Sequence, residues 1–94
     1  MPTNWKTKKV KNLSRALLSL KNEKDMLAFM RDLCTLEELT ELSNRWEAVK
    51  MIEQNIPYRE VAEDTGMSTT TVTRIAHWLK HGEDGYRKAL KNIK

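Results

Sequence analysis

The sequence predicts an all-α protein, a bundle of about six helices that carries a helix-turn-helix. Three observations lead there. Glycine is scarce, at 3 of 94 residues, and helix formers dominate almost everywhere, with only short β-branched runs. Apolar residues recur at spacings of three and four along most of the chain. The stretch Asn55 to Gly82, NIPYREVAEDTGMSTTTVTRIAHWLKHG, has the spacing of two short helices joined by a tight turn.

A chain of this length is expected to form one domain, residues 10–94, after a basic N-terminal tail at 1–9. The domain divides into a core region at 10–54, a helix-turn-helix at 55–82 and a C-terminal helix at 83–94. The formal charge of +4 points weakly to a polyanionic partner, because charges of both signs are abundant. The single Cys34 excludes an intramolecular disulfide framework and fits a reducing cytoplasm. No apolar run is long enough to span a membrane, and MPTNWKTKKVKN lacks the apolar centre of a signal peptide. A cytoplasmic protein with no membrane partner is expected.

Taken in order, residues 1–9 read as a solvated tail, with a phosphate-contacting arm that includes Trp5 as the alternative. Val10, Leu13, Leu17 and Leu20 then set up the first amphipathic helix, widened by Ala16 and Leu18. Asn22 is placed to cap the second helix, with Glu23 and Asp25 at its positive end. Met26, Leu27, Met30 and Leu33 form its apolar stripe, and Cys34 is expected to be a small buried residue. Thr35 and Glu38 have the spacing of a capping box at the start of the third and longest helix, which runs to about Gln54. Leu36, Leu39, Leu42, Trp46, Val49 and Ile52 line one of its faces, with most of its glutamates elsewhere. Pro57 ends that run and suits the first turn of a fourth helix, Pro57 to Thr65. Ser68 caps a fifth helix reaching Lys80 or His81, and Gly82 terminates it. The last helix spans Glu83 to Asn92, with Tyr86, Ala89 and Leu90 as packing residues. Arg87, Lys88, Lys91 and Lys94 sit toward its C-terminal end.

Within the helix-turn-helix, Ala62 must be small where the second helix crosses it, and Gly66 can adopt the left-handed conformation a sharp turn needs. Val61, Val72, Ile75, Ala76 and Leu79 form the underside. The opposite face carries Thr70, Arg74, His77 and His81, with Thr73 on a flank. In a DNA reader the first turns of this helix meet base edges, so Ser68, Thr69, Thr70, Thr71, Thr73 and Arg74 are the candidate contacts. Tyr58 and Arg59 are placed to hold the phosphate backbone. A solvated helix start is the plainer account, but threonine is a mediocre helix former and a run of three in the first turn is costly.

From Leu17 to about Leu90 the chain resembles the Trp repressor family, in its branch of related transcriptional regulators. The segments that carry this are ALLSLKNEKDM, LCTLEELTELSNRWEAVKMI and IPYREVAEDTGMSTTTVTRI. The T-x-x-E start, Arg45 within the long helix and the TTTVTR run are more specific than helical periodicity. The resemblance implies an intertwined homodimer with a shared helical core and two heads facing successive major grooves of double-stranded DNA. It also implies an effector pocket at Thr35, Arg45, Arg74, Ile75 and Trp78. Ile75 and Trp78 stand where the repressor has small residues, and their bulk would fill the space an indole needs. No cofactor is therefore expected, a tryptophan corepressor included, and Trp78 is a candidate to occupy the pocket itself.

The expected function is a sequence-specific DNA-binding transcriptional regulator, a repressor acting as a homodimer. The alternative is a protein-interaction module that keeps the fold without specific DNA binding; an RNA-binding regulator is weaker, since the common RNA modules are absent. His77 and His81 have the i, i+4 spacing of a metal pair but no evident third ligand, so no metal is expected. No convergent acid/base set or phosphate-cradling glycine loop occurs, so the chain is not expected to be an enzyme.

Overall fold

A computed structural model describes residues 4–93. Its six helices are α1 (Lys8–Leu18), α2 (Glu23–Leu33), α3 (Leu36–Glu53), α4 (Tyr58–Thr65), α5 (Thr69–His81) and α6 (Gly85–Ile93). The fold is all-α, as the periodicity predicts; among the described residues there is no strand. No described helix is long and apolar enough to cross a membrane. The chain gathers into two compact units, one ending at Leu39 and the other beginning at Thr40. Met1 to Thr3 of the tail and Lys94 lie outside the described residues.

Local capping explains the helix starts. Asn22 accepts a hydrogen bond from the Asp25 amide at 2.9 Å. Thr35 and Glu38 form the reciprocal capping box: the Glu38 amide donates to Thr35 Oγ1 at 3.1 Å and the Thr35 amide to Glu38 Oε1 at 2.9 Å. Helix α1 begins at Lys8 rather than Val10, so the last two residues assigned to the tail are helical. Thr7 is the cause, because its hydroxyl accepts from the Val10 amide at 3.2 Å. The same helix ends at Leu18 and leaves Leu20 beyond it.

The end of α3 is a complete Schellman turn. Asn55 takes the left-handed conformation at φ 63°; its amide reaches the Ile52 carbonyl at 2.9 Å and the Ile56 amide reaches Met51 at 3.1 Å. Pro57 then sits at the N-cap of α4, one position earlier than the first-turn site its ring suits. Helix α6 starts at Gly85 instead of Glu83, because Asp84 turns left-handed at φ 70°, and it includes Ile93.

The unit from Thr40 onward holds the core. Ala48, Val49, Met51 and Ile52 of α3 bury against Val61 of α4 and Val72, Ile75, Ala76 and Leu79 of α5. Trp46, Ile56, Ala62, Met67, Tyr86 and Leu90 pack around them. The rings of Trp46 and Tyr86 lie 6.4 Å apart in a tilted pair. Burying side chains of this size contributes about 1.5–3 kcal/mol each.

The unit ending at Leu39 is different: it contains no buried residue among those described. Leu18 is 81% exposed, Leu36 63%, Leu27 55% and Leu33 53%. Cys34, expected to be buried, is only half-buried. The predicted apolar faces of α1, α2 and the start of α3 therefore exist, but one chain does not cover them.

Gly66 occupies the left-handed conformation at φ 75°, and an added Cβ there would meet nothing within 4 Å. The requirement is purely one of backbone conformation. Gly66→Val is expected to destabilise the fold by about 2 kcal/mol, while Gly66→Asn, which tolerates this region, costs less. Thermal unfolding followed by circular dichroism checks this; an unchanged midpoint in the valine variant would contradict it.

Candidate nucleic-acid interface

The undersides of helices α4 and α5 pack together, which leaves their other faces exposed. Val61, Val72 and Ile75 are each 0% exposed. Ala62 is half-buried and packs against the same core. The turn between them is held by the Gly66 amide donating to the Ala62 carbonyl at 2.9 Å. Thr65 adds a bond that its sequence position does not advertise. It is the one buried polar residue among those described; its hydroxyl donates to the Val61 carbonyl at 2.7 Å and accepts from the Met67 amide at 3.4 Å.

Ser68 caps α5 as its position predicts. Its oxygen accepts from the Thr71 amide at 3.1 Å, and its hydroxyl donates to Thr71 Oγ1 at 3.0 Å. This divides the threonine cluster. Thr71 is half-buried and tied to the cap, and the Thr73 hydroxyl donates back to the Thr69 carbonyl at 2.9 Å. Thr69 and Thr70 are exposed, and among the described residues no hydrogen bond engages their hydroxyls. Arg74 and Arg59 are exposed on α5 and α4, in neither of the two ion pairs of the described residues. Tyr58 opens α4 at 37% exposure. The outward face of α5 thus carries Thr69, Thr70, Thr73 and Arg74, and the start of α4 exposes Tyr58 and Arg59. Such a set can donate to phosphate oxygens and to base acceptors.

The residues singled out as an effector pocket are scattered in kind. Thr35 serves the capping box. Arg45 is half-buried and pairs with Glu41 at 2.8 Å. Ile75 lies wholly within the core. Trp78 is 47% exposed and lines an open cavity of about 690 Å³ with His77, His81, Gly82, Glu83, Gly85 and Tyr86. Within the chain Trp78 is therefore not enclosed. The His77 and His81 rings stand 5.1 Å apart, and among the described residues no group of three or more His, Cys, Asp or Glu is placed to hold a metal.

The far end of α5 is fixed by two features. Gly82 is required for room, since a Cβ there would run into the Trp78 carbonyl that its own amide reaches at 2.8 Å. The Arg87 guanidinium donates from Nε to the Leu79 carbonyl at 3.0 Å, pinning α6 to α5. Sequence spacing gives no warning of this bond, because the partner is a backbone atom eight residues away.

Comparison with known proteins follows the same lines. The family described as Trp repressor protein matches residues 8–94. An uncharacterized protein from Bacillus subtilis, YerC, is 34% identical over 87 residues, covering 93% of this chain and 84% of that protein. Among solved structures, a TrpR-like protein from Eubacterium eligens is 39% identical, with a TM-score of 0.86 and coverage of 94% of this chain and 91% of that one. A candidate Trp repressor from Staphylococcus aureus is 33% identical, with a TM-score of 0.85 and coverage of 94% and 88%.

The cap bonds of Ser68 give a direct test of how α5 is held. Ser68→Ala removes an N-cap oxygen and is expected to destabilise the protein by about 1 kcal/mol, whereas Ser68→Asp retains the cap and the stability. Chemical denaturation of the two variants decides it; equal losses in both would mean that the cap bond contributes nothing.

Proposed function

The chain belongs to the Trp repressor family, a family of regulators rather than enzymes, and from that premise we propose that it is a sequence-specific DNA-binding transcriptional repressor acting as a homodimer. The observation that carries this reading is the exposed Thr69, Thr70, Thr73 and Arg74 face on a helix whose underside is locked by Val72, Ile75 and Leu79. The helix enters the major groove, where Thr70 and Arg74 contact base edges and Tyr58 and Arg59 hold phosphates.

The homodimer rests on a second observation. Leu27, Leu33 and Leu36 are more than half exposed in one chain, Val10 and Leu13 of α1 are exposed too, and large exposed apolar faces mark interaction surfaces. A second copy supplies the cover, and the two heads then meet successive major grooves.

We further infer that the protein takes no tryptophan corepressor. Ile75 and Trp78 occupy the α5 positions where the repressor has small residues, and Ile75 has no exposure to yield. The reading head is then set independently of that ligand.

Selection of genomic fragments by the purified protein gives its operator. Thr70→Ala and Arg74→Ala are each expected to weaken binding to that operator by roughly 5- to 150-fold, a loss of about 1–3 kcal/mol per base contact, while the unfolding midpoint stays put. Unchanged affinity in both variants would show the reading face to be misassigned. Calorimetry with tryptophan is expected to show no saturable heat; a saturable isotherm would overturn the corepressor inference. A protein-docking module would select no fragment and show no salt-dependent affinity for duplex DNA.

A further inference from the structure

The chain's positive charge is not where the proposed reading head is. Residues 55–82 contain Arg59, Arg74 and Lys80 against Glu60, Glu63 and Asp64, a net charge of zero with histidines neutral. Lys6, Lys8, Lys9, Lys11, Arg15 and Lys21 all precede the first carboxylate, Glu23. The remaining eleven cations face thirteen carboxylates, a net −2. The first 22 residues thus carry +6, the largest positive charge of any segment, against −4 for residues 23–54 and +2 for residues 83–94.

The fold arranges much of this charge on one side of a helix. Thr7 starts α1 early enough to make Lys8 and Lys9 helical. At 3.6 residues per turn, Lys8, Lys11 and Arg15 then fall within about 60° of one another, opposite Val10, Leu13 and Leu17. All three cations are exposed, and neither ion pair of the described residues involves them. Arg15 also reaches Asn12 Oδ1 at 3.2 Å, which holds its guanidinium along the helix surface. A second copy covering the Val10, Leu13 and Leu17 side leaves this basic stripe outward, with the exposed Leu18 beside Lys11 on the same side.

We propose that the basic stripe of α1 is a second DNA contact, one that grips phosphates and adds to the electrostatic part of the affinity that Arg59 begins. It rests on the DNA-binding reading above and adds a division of labour. The neutral head reads bases and discriminates between sequences; the cations of α1 bind any duplex alike, through counterion release. Lys8, Lys11 and Arg15 are the residues assigned to it.

The test is a salt titration from about 50 to 200 mM NaCl, with the selected operator fragment and a random-sequence duplex as probes. The full-length wild type is compared with a Lys8→Gln, Lys11→Gln, Arg15→Gln variant. Three lost phosphate contacts are expected to flatten the log–log salt slope by roughly 2.7 per helix engaged. Affinity falls by a similar factor for both duplexes, so their ratio is kept. A Lys8→Arg, Lys11→Arg, Arg15→Lys variant retains the wild-type slope, which separates charge from folding; circular dichroism and sedimentation confirm helix content and oligomeric state. A slope unchanged in the glutamine variant overturns the proposal. So does a loss confined to dimerisation, or to binding of phosphatidylglycerol vesicles, with duplex binding intact. Wild type that binds no duplex at all overturns both this proposal and the functional reading. Wild type that binds all duplexes equally, with an α1-dependent slope, removes sequence-specific reading and leaves the phosphate grip standing.

Discussion

The left-handed turn at Gly66 is the constraint on which the functional end of this protein depends. It brings α4 and α5 close enough for Val61, Val72 and Ile75 to exclude solvent completely. Once those three are buried, α5 has no rotational freedom left, because turning it by one residue position would move an apolar side chain into water. The outward set of Thr70, Arg74 and His77 is thus a consequence of the inward set. Gly82 is a different kind of glycine. Its φ is unexceptional, but the chain passes so near the Trp78 carbonyl that a side chain has no room. One glycine is required for its backbone angle and the other for its size, and together they bound the helix proposed to read DNA.

Much of this was legible because it is local. Caps at Asn22, Thr35 and Ser68 act within three residues, so spacing alone exposes them, and all three form their hydrogen bonds. The underside of α5 follows from period 3.6 and holds at each of Val72, Ile75, Ala76 and Leu79. The errors have physical causes too. The start of α1 was hidden because Lys8 and Lys9 add no apolar signal to the helix that Thr7 caps. The start of α6 was misplaced because an aspartate, not a glycine, makes the left-handed turn. Periodicity also identifies a face as apolar without saying who covers it. That is why Leu27 and Leu33 form the predicted stripe and yet stand exposed. At the candidate interface, residue type placed the threonines correctly on α5 but did not distinguish them. Only their hydrogen bonds separate Thr71 and Thr73, whose hydroxyls are tied to the cap and to the Thr69 carbonyl, from Thr69 and Thr70, whose hydroxyls no hydrogen bond engages among the described residues.

Ile75 and Trp78 bear on how such a head is controlled. Ile75 is a core residue of the head, contributing to the same buried cluster as Val61 and Val72. A small residue there would leave a void adjoining the reading helix, and voids are costly unless something fills them. A head whose void is filled by a ligand is a switch, whereas a head filled by its own isoleucine is not. On the proposed reading, regulation then resides in protein concentration, in dimerisation or in a ligand of another shape, and the reading helix is permanently set.

The two units divide the physical work unequally, and this links dimerisation to DNA binding. The unit from Thr40 onward has a core of its own and a net-neutral reading head. The unit ending at Leu39 has the opposite character, with apolar faces that its own chain leaves exposed and most of the net positive charge. Exposed Val10 and Leu13 and clustered lysines, on opposite sides of α1, are both unfavourable in an isolated chain, the first through contact with water and the second through mutual repulsion. A second copy relieves the first and a polyanion relieves the second. Each makes the other easier, because a dimer presents two basic stripes to one duplex and a duplex holds two chains at high effective concentration. On the proposed reading, assembly and DNA binding are therefore thermodynamically coupled through α1, by way of opposite faces of the same helix.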